Sequence, residues 1–404
     1  MQTFGQKLDA NHGAGPGFDL LRITLAGAIL WAHTNWIFGS TGHLAATING
    51  LFGFAPHHPE VMLAAVTSDH NAAPPLDGLT RPYAVSLVPM FFGLSGFLVT
   101  GSAIRTKNVV RFLGLRVLRI LPALVVEVVL SALIFGVFLT DLPPRSYFSS
   151  LAFYRYFGNM VGWITFRLPG VFDNNHVHLV NANLWTLPSE LDCYIIMGVL
   201  IGTGVLFRRM LITTVLAVVT IVLLALNTFT NFAVTPEILA GHTITYYFFV
   251  GVAFYHWRSK IAYSLPFFVV SCVLTYVLSL SRHTIYLSPV FLVYITIYLG
   301  LTNFPSSRLL KSGDYSYGVY LYGFPIAQAL WAAVPPLRGQ LWGFRIASLS
   351  LTMIFAAASW HLVEKHVLKL KKYLIRDSRT SAYAAPVESY SELAAVSSKP
   401  QVAL

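Results

Sequence analysis

Apolar residues gather along this chain in runs of about 17 to 25, and a run of that length crosses about 30 Å of hydrocarbon as a helix. Ten such runs are read, at 19–38, 84–104, 117–139, 184–206, 211–230, 237–256, 261–281, 286–304, 315–335 and 342–363. The expected fold is all-α, a polytopic membrane bundle of about ten transmembrane helices with the lipid bilayer as its main solvent. Polar stretches mark off residues 1–18 as a cytoplasmic N-terminal segment, 19–366 as one membrane domain, and 367–404 as a cytoplasmic tail. The tail is rich in Ser and Ala without a long apolar run, so it is expected to be largely disordered. The first 18 residues lack the charged, apolar and cleavable regions of a signal peptide, so the first run is expected to stay as an anchor.

Composition agrees with the pattern. The 404 residues are 55% hydrophobic and 11% charged, with mean hydropathy +0.64. The net charge of +11 follows topology: with both termini inside, 20 of the 27 Lys and Arg residues fall on the cytoplasmic side, as the positive-inside rule requires. These cations sit at helix ends rather than on a soluble basic face with interleaved aromatics, which argues against nucleic acid as a partner. A bacterial inner (plasma) membrane is the expected location. Cys193 and Cys272 both fall within spans and imply no disulfide framework.

Against this apolar background the ionisable residues stand out. Arg22 and His33 share the first span, and eleven helical steps return to within about 20° of the start while rising about 16 Å. Both side chains therefore point one way, and two costly residues on one face mark a functional site. The plainer reading is an interfacial arginine and a histidine satisfied inside the bundle. In VPMFFGLSGFLVTGSAIRTKNVVRFLGLRVLRILPAL, Gly93, Ser95 and Gly96 suit close helix approach, and Arg105 and Lys107 read as inside charges. Arg116 and Arg119 are three apart, so their guanidiniums share a face, and paired forks suit phosphate oxygens. Glu190 enters an apolar span after Pro188, a residue that fits a first helical turn. Near His33 it would orient the imidazole; the alternative is a structural ion pair. His43, His57, His58 and His70 in the connection 39–83, and His176 and His178 in 140–183, lack the spacing of a metal site, so no metal is expected.

Taken in order, Arg22-x10-His33, FFGLSGFLV with RVLRILP, LWTLPSEL, YSYGVYLYGFP and SWHLVEKH resemble the acyltransferase-3 family of membrane O-acyltransferases over roughly residues 18–366. The resemblance implies transfer of an acyl group, usually acetyl from acetyl-CoA as co-substrate, to a hydroxyl of a glycan or another membrane-associated acceptor, without metal or prosthetic group. His33 and Arg22 match the family motif directly, while Arg116, Arg119 and Glu190 fall in its other polar blocks. Many members read S-Y-x-x-Y-L-x-H-x-P in the ninth span. This chain has Ser316, Tyr317, Tyr320, Leu321, Gly323 and Pro325, with glycine at the histidine position, leaving Tyr322 or Gln328 as the polar groups nearby.

The expected reaction places acyl-CoA on Arg22, Arg116 and Arg119, and uses His33 with Glu190 as the catalytic pair. His33 acts either as general base toward the acceptor hydroxyl or as a transient acyl carrier. The competing reading is a secondary transporter or flippase for a glycan or small anion, with Arg22, His33 and Glu190 as its relay. No internal repeat of the transporter kind is seen. Acceptor identity and oligomeric state are not legible in the sequence.

Overall fold

The computed structural model describes residues 1–11, 13, 15–39, 81–230, 234–235, 238–239, 241–281, 283–304 and 313–374. His43, His57, His58 and His70, and all of the tail beyond Leu374, lie outside the described residues. Ten long helices are present among the described residues: α1 Phe18–Phe38, α2 Arg81–Thr106, α3 Val109–Leu139, α4 Leu187–Gly202, α5 Arg209–Phe229, α6 Gly241–Trp257, α7 Leu265–Ser279, α8 Ser288–Gly300, α9 Ser316–Ala333 and α10 Leu341–Ser359. The only strands described are a two-residue antiparallel pair, Val234–Thr235 with Ile238–Leu239.

These are the helices the apolar runs call for, one in each run, with ends shifted by a few residues. By length and composition alone, five segments among the described residues are long and apolar enough to cross a membrane: Ser86–Thr106, Val109–Leu139, Ala182–Gly202, Arg209–Phe229 and Leu341–Leu374. α5 shows what the bilayer does to such a helix. Only Ile212 and Asn227 of its residues are buried, while Val215, Val218, Ile221 and Val222 are exposed. An apolar outer face of this kind is stable against lipid and would be a liability in water.

Small residues set the helix spacing. A Cβ on Gly96 would lie 1.9 Å from the Phe248 carbonyl oxygen, and one on Gly251 would lie 2.1 Å from that of Gly93. α2 and α6 therefore meet backbone to backbone, the packing role read for Gly93 and Gly96. In the same way a Cβ on Gly318 would lie 2.8 Å from Ala356, which brings α9 against α10.

Two irregular features shape the interior. α3 widens into a π turn at Ser131–Phe135, and the Tyr147 hydroxyl donates 2.7 Å to the Ala132 carbonyl there. The connection 140–183 folds back onto α9. Gln328 Nε2 donates to the carbonyls of Val177 (2.6 Å) and Leu179 (2.7 Å), and Gln328 Oε1 accepts from Asn175 at 2.9 Å.

The two ends of the described chain meet at one end of the bundle. The short helix Phe4–Ala10 hydrogen-bonds to the α6–α7 turn, Phe4 N to Ile261 O at 2.9 Å and Gly5 N to Arg258 O at 2.8 Å. A Cβ on Gly114, near the start of α3, would touch the Leu374 side chain at 3.2 Å. The starts of α1, α3 and α9 are drawn together at the same end by Arg22, Arg119 and Asp314. Arg22 and Arg119 make this the basic end of the bundle.

Candidate functional site

At the basic end three helices converge on one carboxylate. Asp314 Oδ2 accepts from Arg119 Nη2 at 2.5 Å and stands 3.6 Å from Arg22 Nη1, while its Oδ1 accepts from Ser316 Oγ at 2.6 Å. Arg22 also stands 3.6 Å from Asp19. Asp314 precedes α9, and its environment decides its charge. Burial works to raise the carboxyl, but Arg119 and Arg22, with the hydrogen bonds from Ser316 and Arg119, hold it below its ordinary value. It therefore stays ionised and compensates two guanidiniums at once.

Arg116 is placed differently. Its Nη2 reaches Ser102 Oγ at 3.3 Å, its Nε is buried without a partner, and its guanidinium lies over the Phe112 and Tyr194 rings at 5.8 and 5.9 Å. Neither Arg116 nor Arg105 has a carboxylate within 4 Å among the described residues. Arg116 is half-buried with its Nε shielded and no counter-ion, a costly state for a cation, and Arg105 lies exposed at the same cavity, so the two suit this place to an anion.

These side chains line a cavity of about 400 Å³ that also takes in Ser95, Ser102, Glu190, Tyr194, Ser316, Tyr317, Thr186 and Tyr320. On α2 its lining runs from Arg105 to Val88, about 25 Å at 1.5 Å per residue. The cavity is thus a channel, polar and cationic near the basic end and walled by Val88, Phe91, Phe92 and Phe248 further in. Glu190 belongs to it. Its carboxylate accepts from Tyr194 OH at 2.7 Å, within electrostatic reach of Arg119 and Arg116.

His33 lies beyond the inner end. Its ring packs against Phe324 (5.2 Å between centroids) and Trp36 (6.2 Å), and its Nδ1 is buried without a partner. Arg22 pairs with Asp314, two residues before α9, and His33 packs on Phe324 within α9, so both project toward that helix. The shared face read from their spacing is present.

The structure thus brings Arg22, Arg116, Arg119 and Glu190 around one cavity and sets His33 apart from its lining. The contact expected between Glu190 and His33 is not made: Glu190 sits among the arginines and Tyr194, and His33 among aromatic rings. Gly323 fills the family's histidine position, and a Cβ there would lie 3.1 Å from the Leu30 side chain of α1. Tyr322 donates to Ser359 (3.2 Å) and Gln328 holds the loop, so neither stands in for the missing histidine. Sequence reasoning missed Asp314, one residue before the YSYGVYLYGFP block, and it took Arg105 for a simple inside charge although Arg105 lines the cavity. No group of three His, Cys, Asp or Glu side chains among the described residues is arranged to hold a metal ion.

A family model described as an acyltransferase domain, that of the acyltransferase-3 family, matches residues 16–361, a stretch that contains every residue of this site. The chain belongs to the acyltransferase-3 family. Among curated relatives, an O-acetyl transferase of Shigella phage Sf6 is 26% identical over 324 residues, covering 76% of this chain and 92% of the relative. Nodulation protein 10 of Rhizobium leguminosarum bv. viciae is 26% identical over 399 residues, covering 92% of this chain and 98% of the relative. No solved structure matches. Acyltransferase-3 proteins are membrane-embedded O-acyltransferases, and the apolar helices of this chain fit that class.

Proposed function

We propose that the protein moves an acyl group, acetyl in the first instance, from cytoplasmic acyl-CoA to a hydroxyl of an extracytoplasmic or lipid-linked glycan. The observation that carries the donor assignment is the cationic channel: four arginines at one end, two of them without a carboxylate, and an apolar bore leading inward. Guanidinium forks match phosphate oxygens, so Arg116 and Arg105 receive the phosphates of the donor. Arg22 and Arg119, held by Asp314, shape the wall beside them, and the apolar bore takes the thin pantetheine arm with its thioester. The lysine and arginine distribution supports a cytoplasmic basic end, with both termini cytoplasmic, in a bacterial inner membrane.

In the transfer the acceptor oxygen forms a bond to the thioester carbonyl carbon and the bond to sulfur breaks. The hydroxyl proton passes to His33 and ends on the thiolate, giving free CoA. General base catalysis of this kind contributes about 10² to 10⁴-fold. The aromatic surround of His33 keeps bulk water from competing with the acceptor.

The test is thiol release from acetyl-CoA by purified protein supplied with a membrane extract as acceptor. Release that depends on the protein and falls by about 10² to 10⁴-fold in His33→Ala supports the reading. No release with acetyl-CoA or with longer acyl-CoA donors, together with glycan or anion movement across sealed vesicles, would replace it with the transporter reading.

A further inference from the structure

The inner end of the channel is closed by a pair of hydroxyls. Tyr320 of α9 and Thr186, just before α4, both line the cavity, and their oxygens are 2.7 Å apart. Both also point at a single acceptor: Tyr320 OH lies 3.1 Å and Thr186 Oγ1 3.2 Å from the Asn183 carbonyl. Asn183 returns a hydrogen bond from its side-chain amide to the Tyr320 carbonyl. Its Oδ1 is buried with no partner. The polar cap of the channel is therefore a clasp between two helices that the protein's own groups leave incompletely satisfied.

The hydrogen-bond count at this clasp matters. Both hydroxyls reach the Asn183 carbonyl, and either one alone is enough to hold that oxygen, so the second proton is the one the clasp can release toward the cavity. An incoming carbonyl oxygen can take that second proton while the Asn183 bond stays in place. Position agrees with chemistry. The Tyr320 ring packs on Phe91 (6.1 Å between centroids), and Phe324, one helical turn along α9, carries the ring that packs on His33. Four residues are about 6 Å of rise, so a Tyr320 proton turned into the cavity is offered between the end of the donor channel and the imidazole. Of the two rings against His33, Phe324 offers no hydrogen bond, and His33 Nδ1 is buried without a partner.

We propose that Tyr320, with Thr186 behind it, is a catalytic residue that donates a hydrogen bond to the thioester carbonyl oxygen and holds the negative charge that develops there. This rests on the acyl-CoA reading above. As the acceptor oxygen bonds to the carbonyl carbon, the carbonyl electron pair moves onto oxygen and is met by the Tyr320 O–H. As the pair returns, the carbon–sulfur bond breaks, sulfur leaves as thiolate, and the proton held on His33 neutralises it. A donor placed in advance at a developing oxyanion contributes about 10² to 10³-fold to kcat.

The experiment compares wild type, Tyr320→Phe and Thr186→Val for thiol release from acetyl-CoA, and measures the affinity of each for free CoA, which has no thioester carbonyl. The expected result is a fall of about 10² to 10³-fold in kcat for Tyr320→Phe and a smaller fall for Thr186→Val, with affinity for free CoA within about twofold of wild type in both. A kcat for Tyr320→Phe within about threefold of wild type would sink the proposal, as would loss of CoA affinity in step with loss of kcat, the mark of a purely structural clasp. If Tyr320→Phe does not fold, Thr186→Val, which keeps the side-chain shape, decides: a kcat equal to wild type counts against the proposal. A wild-type protein inert toward every acyl-CoA would instead remove the donor reading itself.

Discussion

Asp314 lets one cavity hold four arginines without flying apart. Like charges a few ångströms apart in a low-dielectric setting repel strongly, and a single carboxylate that touches Arg119 and Arg22 offsets that repulsion where α1, α3 and α9 meet. Asp314→Asn should lower stability by about 2 kcal/mol, the usual cost of losing a hydrogen bond to a charged group, read as a lower unfolding midpoint in detergent. The sign with pH follows from the direction of the shift. A carboxyl held below its ordinary value of 3.8 gives stability that is complete above that value and is lost as pH falls through the lower one. The gap between wild type and Asp314→Asn should therefore stay constant from pH 5 to pH 8. At this scale the sequence showed the cations and hid their partner. Arg116, Arg119 and Arg22 are conspicuous in apolar runs, whereas Asp314 lies 195 positions from Arg119 and only the fold joins them. Glu190 misled for the same reason: its depth in a span was legible, but its neighbour was not.

Among the elements, close contact between α2 and α6 is the most demanding feature. Gly96→Ala puts a methyl 1.9 Å from a backbone oxygen, and overpacking of this kind costs about 1 to 3 kcal/mol. Gly27→Ala in α1, where an added Cβ meets nothing within 4 Å, should be neutral or slightly stabilising, because alanine is the better helix former. Thermal unfolding of the two variants in one detergent checks the contrast, and a Gly96→Ala midpoint equal to wild type would refute the backbone contact. The helices themselves were readable from apolar run length, since a bilayer imposes one length scale on all of them. The π turn at Ser131–Phe135 and the loop anchored by Gln328 were not readable, because both depend on a partner from another part of the chain: Tyr147 in one case, Asn175 and the 177–179 carbonyls in the other.

For the whole molecule, the ten helices among the described residues bring Phe4 and Leu374 to one end of the bundle, and the proposed topology puts both termini on one side of the membrane. Reporter fusions at residue 1 and after residue 374 should give the same sidedness, and the cytoplasmic one if the basic end faces inward; opposite signals would mean a miscounted span. The sidedness bears on function because it decides where the donor enters. In the proposed reaction, acyl-CoA held from the basic end gives its acyl group to a hydroxyl acceptor through His33. The measurement that tests it most directly uses sealed inside-out membrane vesicles given acetyl-labelled CoA on the outside, with wild-type and His33→Ala protein at equal amounts, and follows label into extractable glycan. Label should require the protein and disappear with His33. Label that persists undiminished in His33→Ala would contradict the proposed reaction.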